Sequence, residues 1–132
     1  MSPGEEVRRR VLGDSYVDTA MAAATEFTTP FQDYITQSAW GLVWARPGLD
    51  PRTRSCLTLA LLTALRAEHE MAIHVAAALR LGVTPDEIRE VLLHTAVYVG
   101  APAANTAFAI AERVLREHGN EHGSEHGSEH GT

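Results

Sequence analysis

The sequence predicts an all-α domain, and three observations carry that reading. Apolar residues recur at three- and four-residue spacing through most of the chain. A capping residue followed by proline, the signature of a helix start, occurs at Thr29-Pro30, Asp50-Pro51 and Thr84-Pro85. No stretch alternates apolar and polar residues as a half-buried strand would, and no Asn-Gly hairpin signal is present. A chain of 132 residues, 45% of them hydrophobic and rich in Ala and Leu, is one domain with enough apolar mass for a core. A domain this small often gains from oligomerising.

About six helices are expected, drawn from seven segments with helical patterning. "PGEEVRRRVLG" is a short helix ended by Gly13. "DSYVDTAMAAAT" follows, with Asp14 or Ser15 as N-cap. "TPFQDYITQSAWGLVWARPG" opens at Thr29-Pro30 and closes at Arg46–Gly48. "DPRTRSCLTLALLTALRA" has apolar residues almost all round its axis and is expected to be a buried central helix. "EHEMAIHVAAALRLG" forms an antiparallel pair with it, hinged near Arg66–Glu68, and ends at Gly82. "TPDEIREVLLHTAVYVG" carries the clearest start signal, a capping box of Thr84 and Glu87, and stops at Gly100. "APAANTAFAIAERVLREHG" is the last helix, with Pro102 in its first turn. The body spans residues 1–116. Residues 117–132 repeat an EHG motif four times without an apolar residue, which predicts a disordered tail. Its Glu and His residues would bind metal weakly at most.

Composition excludes several classes. The net charge is −6, and a nucleic-acid binder would show a basic face instead. No apolar run is long enough to span a bilayer, and "MSPGEEVRRR" has no signal-peptide core, so the expected location is the cytoplasm. A lone Cys56 permits no internal disulfide and no CxxC chemistry. There is no P-loop, GxGxxG, G-x-S-x-G or HExxH. His69 and His74 are five apart, a poor helical spacing for one metal, so no metal site is expected in the body.

Four constellations have chemical potential. Glu70 and His74 are four apart and share a helix face, beside apolar Met71, Val75 and Ala78. A carboxylate there orients the imidazole or raises its pKa, a pairing suited to moving a proton near neutral pH. The same spacing also fits an ordinary ion pair on a solvated surface. Trp40 and Trp44 form a broad aromatic surface, followed at once by Arg46. Arg52 and Arg54 sit in the first turn of a helix, where cations oppose the dipole and need another benefit. Binding an anion beside the helix N-terminus would supply it. His94 and Tyr98 are four apart, ahead of a Gly-Ala-Pro turn that leads to Asn105.

The segments "FQDYITQSAWGLVWARPGLDPRTRS", "EHEMAIH", "GVTPDEIREVLLH" and "YVGAPAANTAFAIAE", in this order, resemble the carboxymuconolactone decarboxylase family, as does the early "EVRRRVLGDSYVD". The match covers about residues 5 to 115. The wider superfamily includes alkylhydroperoxidase D-like proteins with a Cys-x-x-Cys-x-x-x-His site. Here Ala67 and Glu70 stand where those cysteines would fall, ahead of His74, so thiol peroxidase chemistry does not carry over.

The resemblance implies an alkylhydroperoxidase D-like helical fold and a ring-like homo-oligomer, commonly a hexamer. It implies cofactor-free decarboxylation of 4-carboxymuconolactone to 3-oxoadipate enol-lactone, in the protocatechuate branch of aromatic catabolism. His74, Glu68 and Glu70 correspond to the family's polar active-site cluster. The substrate is a dianionic lactone, for whose carboxylates Arg46 and Arg54 are the candidates, with Arg52 in reserve. Trp44 is expected to desolvate the leaving carboxylate, and Tyr98 and His94 complete the expected binding residues. His74, held by Glu70, is the expected proton donor. Two rivals remain open at this level: a family member acting on another substrate, and a non-enzymatic helical oligomer whose charged cluster lies at an interface.

Overall fold

A computed structural model describes residues 1–129, with side chains for residues 1–120. Among them are seven α-helices, one π-wound stretch and no strand. The helices are α1 (Pro3–Leu12), α2 (Asp14–Ala23), α3 (Thr29–Ile35), α4 (Pro51–Leu65), α5 (Glu68–Arg80), α6 (Pro85–Val99) and α7 (Ala101–Glu129). The all-α expectation holds, and each of the seven segments read as helical contains one α-helix. Of the EHG tail, residues 117–129 belong to α7, and residues 130–132 lie outside this description.

Several start and stop signals act as the sequence predicts. Asp50 caps α4 by accepting from the Thr53 amide at 2.8 Å. At the start of α6 the Thr84 hydroxyl accepts from the Glu87 amide at 3.1 Å, and the Glu87 carboxylate accepts from the Thr84 amide at 2.9 Å. Each side chain thus satisfies the other residue's orphan amide. At the end of α5, Gly82 takes φ +89°, and the Val83 amide reaches back to the Ala78 carbonyl at 2.9 Å. That 6→1 bond, with Gly82 to Leu79 inside it, is a Schellman ending. Between α4 and α5 the chain reverses at Arg66, a non-glycine residue at φ 56°, which makes the two helices a hinged pair as expected.

Four details depart from the sequence reading. Neither Asp14 nor Ser15 caps α2: Gly13, at φ 89°, ends α1 and precedes α2 with no residue between, and Asp14 instead meets Arg9. Thr29 is the first residue of α3 rather than its cap. Thr28 stands before it, with its hydroxyl occupied by the Thr25 amide at 2.8 Å. The helix begun at Thr29 does not stay α-wound, since Thr36–Trp44 is π-helical, closed by a bond from the Ala45 amide to the Trp40 carbonyl five residues back. Finally, α4 is not buried all round. It turns Ser55, Leu59 and Thr63 inward but leaves Leu57, Leu61 and Leu65 exposed at 49%, 62% and 75%.

Two apolar clusters share α5. The larger joins Leu59 of α4, Met71, Val75 and Ala78 of α5, Ile88 and Leu92 of α6, and Ala107, Ile110, Ala111 and Val114 of α7. The smaller joins Val11, Leu12 and Val17 with Trp40 and with Ala77 of α5, and Ile73 and Trp44 pack against it. Helix α5 is therefore covered on two faces, which fixes its rotation. No helix among the described residues is long and apolar enough to cross a membrane.

Candidate active site

His74 lies on α5 between the two covered faces. Met71, Val75 and Ala78 point to one cluster and Ile73 and Ala77 to the other, and at 3.6 residues per turn position 74 falls between them. Its Nδ1 is buried and has no hydrogen-bond partner. Burial pushes the imidazole pKa below its ordinary value, and the nearby Glu70 carboxylate offsets this only in part. The net direction is opposite to the one expected from the pair alone, because removal from water outweighs the acid one turn away. Glu70 is exposed, and no hydrogen bond joins it to His74 among the described residues. In the free protein His74 is thus a half-buried imidazole whose neutral form is favoured, with an unused nitrogen.

Glu68 and Glu70 both stand in the first turn of α5, where carboxylates favour the helix dipole. Ala67 gives that helix no side-chain cap, so the two acids also serve its N-terminus. Two residues apart on a helix, they point to nearly opposite sides. Glu68 faces a small hollow lined by Thr63, Met71 and Thr106, whereas Glu70 shares the side of His74. His69 is exposed.

The arginines divide by partner. Arg52 pairs with Glu87 of the α6 capping box, so its benefit at a helix N-terminus is a tie between α4 and α6. The same contact helps hold the Glu87 carboxyl below its usual range, after the larger effect of the Thr84 amide. Arg54 is half-buried, donates from Nη2 to the main-chain oxygen of Arg46 at 3.2 Å, and keeps Nε buried without a partner. Arg46 is exposed and follows the π-wound stretch. Trp40 and Trp44 lie 5.2 Å apart, ring centre to ring centre, and Trp44 packs against the cluster that Ile73, the neighbour of His74, also joins. The structure therefore brings Arg46 to Arg54, Trp40 to Trp44, and the tryptophans to the Ile73 side of α5.

His94 and Tyr98 sit elsewhere. Their rings are 5.3 Å apart on the outer side of α6, both exposed. His94 lines a largely apolar groove of about 360 Å³ between α4 and α6, with Cys56, Leu57 and Ala60 opposite. Burial, with a smaller effect from Glu87, pushes the Cys56 thiol up, which favours the protonated thiol over the thiolate.

Sequence reasoning passed over Arg8. It is a buried arginine whose Nη1 donates to Thr36 Oγ1 at 3.2 Å and whose Nη2 donates to Gln32 Oε1 at 2.9 Å. The signal was present, since Gly4, Arg8 and Val11 recur at helical spacing on the face that α1 buries.

The profile of the carboxymuconolactone decarboxylase family matches residues 29–113, from the start of α3 into α7. The chain is 44% identical over 116 residues to the 4-carboxymuconolactone decarboxylase of Acinetobacter baylyi, covering 88% of this chain and 87% of that one. It is 46% identical over 114 residues to the nitrosuccinic acid decarboxylase of the fungus Metarhizium robertsii, covering 86% and 80%. An uncharacterized 15.0 kDa protein of Paracoccus denitrificans is 35% identical over 80 residues, 59% of this chain and 60% of that protein. These matches run through the helices that carry His74, Glu70, Arg54 and Trp44, and the chain belongs to the carboxymuconolactone decarboxylase family.

Proposed function

We propose that this carboxy-lyase removes carbon dioxide from 4-carboxymuconolactone, giving 3-oxoadipate enol-lactone, with His74 and Glu70 handling the proton. The observation that carries the reading is the 44% identity, over 88% of the chain, to a decarboxylase of that name.

The chemistry needs no cofactor. The ring carboxylate is vinylogous to the lactone carbonyl, so its bonding electrons pass through the ring double bond onto the carbonyl oxygen as carbon dioxide leaves. The resulting dienolate takes one proton at ring carbon. The protein must hold two carboxylates, favour the developing oxyanion and deliver that proton. Arg54 and Arg46 are the groups for the carboxylates, and Arg52, committed to Glu87, is the least available. Trp44 supplies an apolar wall. His74 is neutral in the free protein, and a bound dianion raises its pKa again, so the proton donor is completed by substrate. Glu70 adds in the same direction. Glu68, on the other side of the helix, has the helix terminus as its main task.

A second substrate is favoured by a specific observation, the 46% identity to a nitrosuccinic acid decarboxylase. Nitrosuccinic acid and carboxymuconolactone share a pattern. Both are compact dicarboxylic acids in which loss of one carboxylate leaves the electron pair in a conjugated acceptor, a nitro group in one and a lactone in the other. Two anionic ends and a built-in electron sink suit a pair of carboxylate-binding arginines with a histidine as proton donor.

The same reading includes a cytoplasmic enzyme assembled as a ring-like homo-oligomer. Leu57, Leu61 and Leu65 of α4 and Leu93, Val97 and Tyr98 of α6 leave an exposed apolar face beside the groove that His94 lines. An exposed apolar face of this kind supports that assembly.

The test is a comparison of kcat/KM for the two acids on one preparation. Preference for the lactone is expected. Turnover of nitrosuccinic acid alone would transfer the assignment to the second substrate, and turnover of neither would remove both.

A further inference from the structure

Arg8 is 6% exposed, and no ion pair among the described residues involves it. A buried cation without a carboxylate is costly unless its hydrogen bonds are well placed. Arg8 directs two of its nitrogens to neutral acceptors four residues apart on one helix, Gln32 Oε1 and Thr36 Oγ1. Those positions bracket the point where α3 gives way to the π-wound stretch Thr36–Trp44. Side chains at this point also bond the backbone one turn back. The Thr36 hydroxyl donates to the Gln32 carbonyl at 2.8 Å, and Ser38 donates to the Tyr34 carbonyl at 2.6 Å. One turn before Arg8, Gly4 lies against the Thr36 carbonyl and the Gly41 backbone so closely that a methyl group would overlap that oxygen.

We propose that Arg8 is a positioning residue: by holding Gln32 and Thr36 it fixes where π winding begins, and so sets the orientation of Trp44 and Arg46 at the far end. This rests on the functional reading above only in so far as Trp44 and Arg46 bind substrate. Winding with bonds five rather than four residues back turns every later side chain relative to an α-helix. The nine-residue stretch ends at Trp44, and two residues later Arg54 grips the Arg46 carbonyl. The π stretch is thus pinned at both ends by arginines, from α1 at the start and from α4 at the finish. A uniform α-helix over the same residues would place the tryptophan and the arginine differently, and no contact to substrate by Arg8 is required.

The test uses the full chain and two readouts. The coupled indoles of Trp40 and Trp44 give a circular dichroism signature that depends on their relative orientation and needs no substrate. Steady-state kinetics then separates KM from kcat. Arg8→Met is expected to alter the tryptophan signature and to lower kcat/KM by up to about 10²-fold, mainly through KM, as a small misplacement of binding groups does. Gln32→Leu with Thr36→Val removes the acceptors instead and should give the same two changes, which covers the case in which Arg8→Met does not fold. Arg8→Lys retains the charge and one bond, and should restore part of both. A folded Arg8→Met or double variant with the wild-type tryptophan signature and KM, even with a lower Tm, would overturn the proposal. If the wild type turns over neither acid, the functional reading fails while the tryptophan signature still decides the role of Arg8.

Discussion

Arg54 Nη2 bonds the main-chain oxygen of Arg46 at 3.2 Å, so the first turn of α4 holds the residue that follows the π-wound stretch. This ties one proposed carboxylate-binding arginine to the position of the other. Arg54→Lys keeps the charge but lacks the planar fork needed to hold both the carbonyl and a carboxylate. It should raise KM about 10- to 100-fold, the equivalent of about 1.5–3 kcal/mol for a charged hydrogen bond. Arg52→Lys, whose native partner is Glu87, should leave KM near the wild-type value. Steady-state kinetics on both variants checks this, and equal effects would contradict the division of roles.

The burial of His74 makes a statement about pH and stability. Its folded-state pKa lies below the ordinary value of 6.5, so just below that pH the unfolded chain binds more protons than the folded one. The stability due to a neutral His74 is complete above about 6.5 and is lost as pH falls towards the folded pKa. His74→Gln should flatten that slope in urea unfolding series across about pH 5 to 8. An unchanged slope would mean that another group titrates there.

The same shift predicts a difference between kinetic parameters. The pH profile of kcat/KM reports the free enzyme, and that of kcat the substrate complex. The limb due to His74 should lie below 6.5 in kcat/KM and higher in kcat, because the dianion favours the imidazolium. Coincident limbs would argue against contact between His74 and the substrate.

Gly4→Ala should destabilise by about 1–3 kcal/mol, the usual cost of an added methyl in a packed contact, since that methyl meets the Thr36 carbonyl. Gly48→Ala is the control, because nothing lies within 4 Å of a methyl there. Thermal or denaturant unfolding compares them, and equal stabilities would show that α1 moves aside freely.

If the exposed α4–α6 face is the association surface, Leu61→Glu should lower the oligomeric state seen by sedimentation. Wild-type sedimentation of that variant would place the interface elsewhere.

Most of the scaffold was legible because its signals are local. Asp50, Thr84 with Glu87, Gly82 and Gly100 act on backbone groups within a few residues, and such chemistry is written in sequence order. The π winding was not legible. Phe31, Ile35, Ala39 and Leu42 fit an α-helix, and the difference comes from α1, whose Gly4 and Arg8 press on Thr36 from outside. Leu57, Leu61 and Leu65 gave a misleading picture for a related reason. Apolar residues all round α4 imply cover on every side, and a single chain covers only the face of Ser55, Leu59 and Thr63. For the site, spacing gave the Glu70–His74 pair but not the sign of the histidine shift, which depends on the clusters that bury it. The partners of Arg52 and Arg54 were equally out of reach, since Glu87 and the Arg46 carbonyl meet them only after folding.

The most direct test of the central claim is turnover of 4-carboxymuconolactone by the wild type and by His74→Ala, followed as carbon dioxide release in the presence of EDTA. The wild type is expected to turn over, and His74→Ala to lose about 10²–10⁴-fold in kcat, as removal of a general acid does, with KM little changed. No turnover by the folded wild type, or equal turnover by both proteins, would contradict the account.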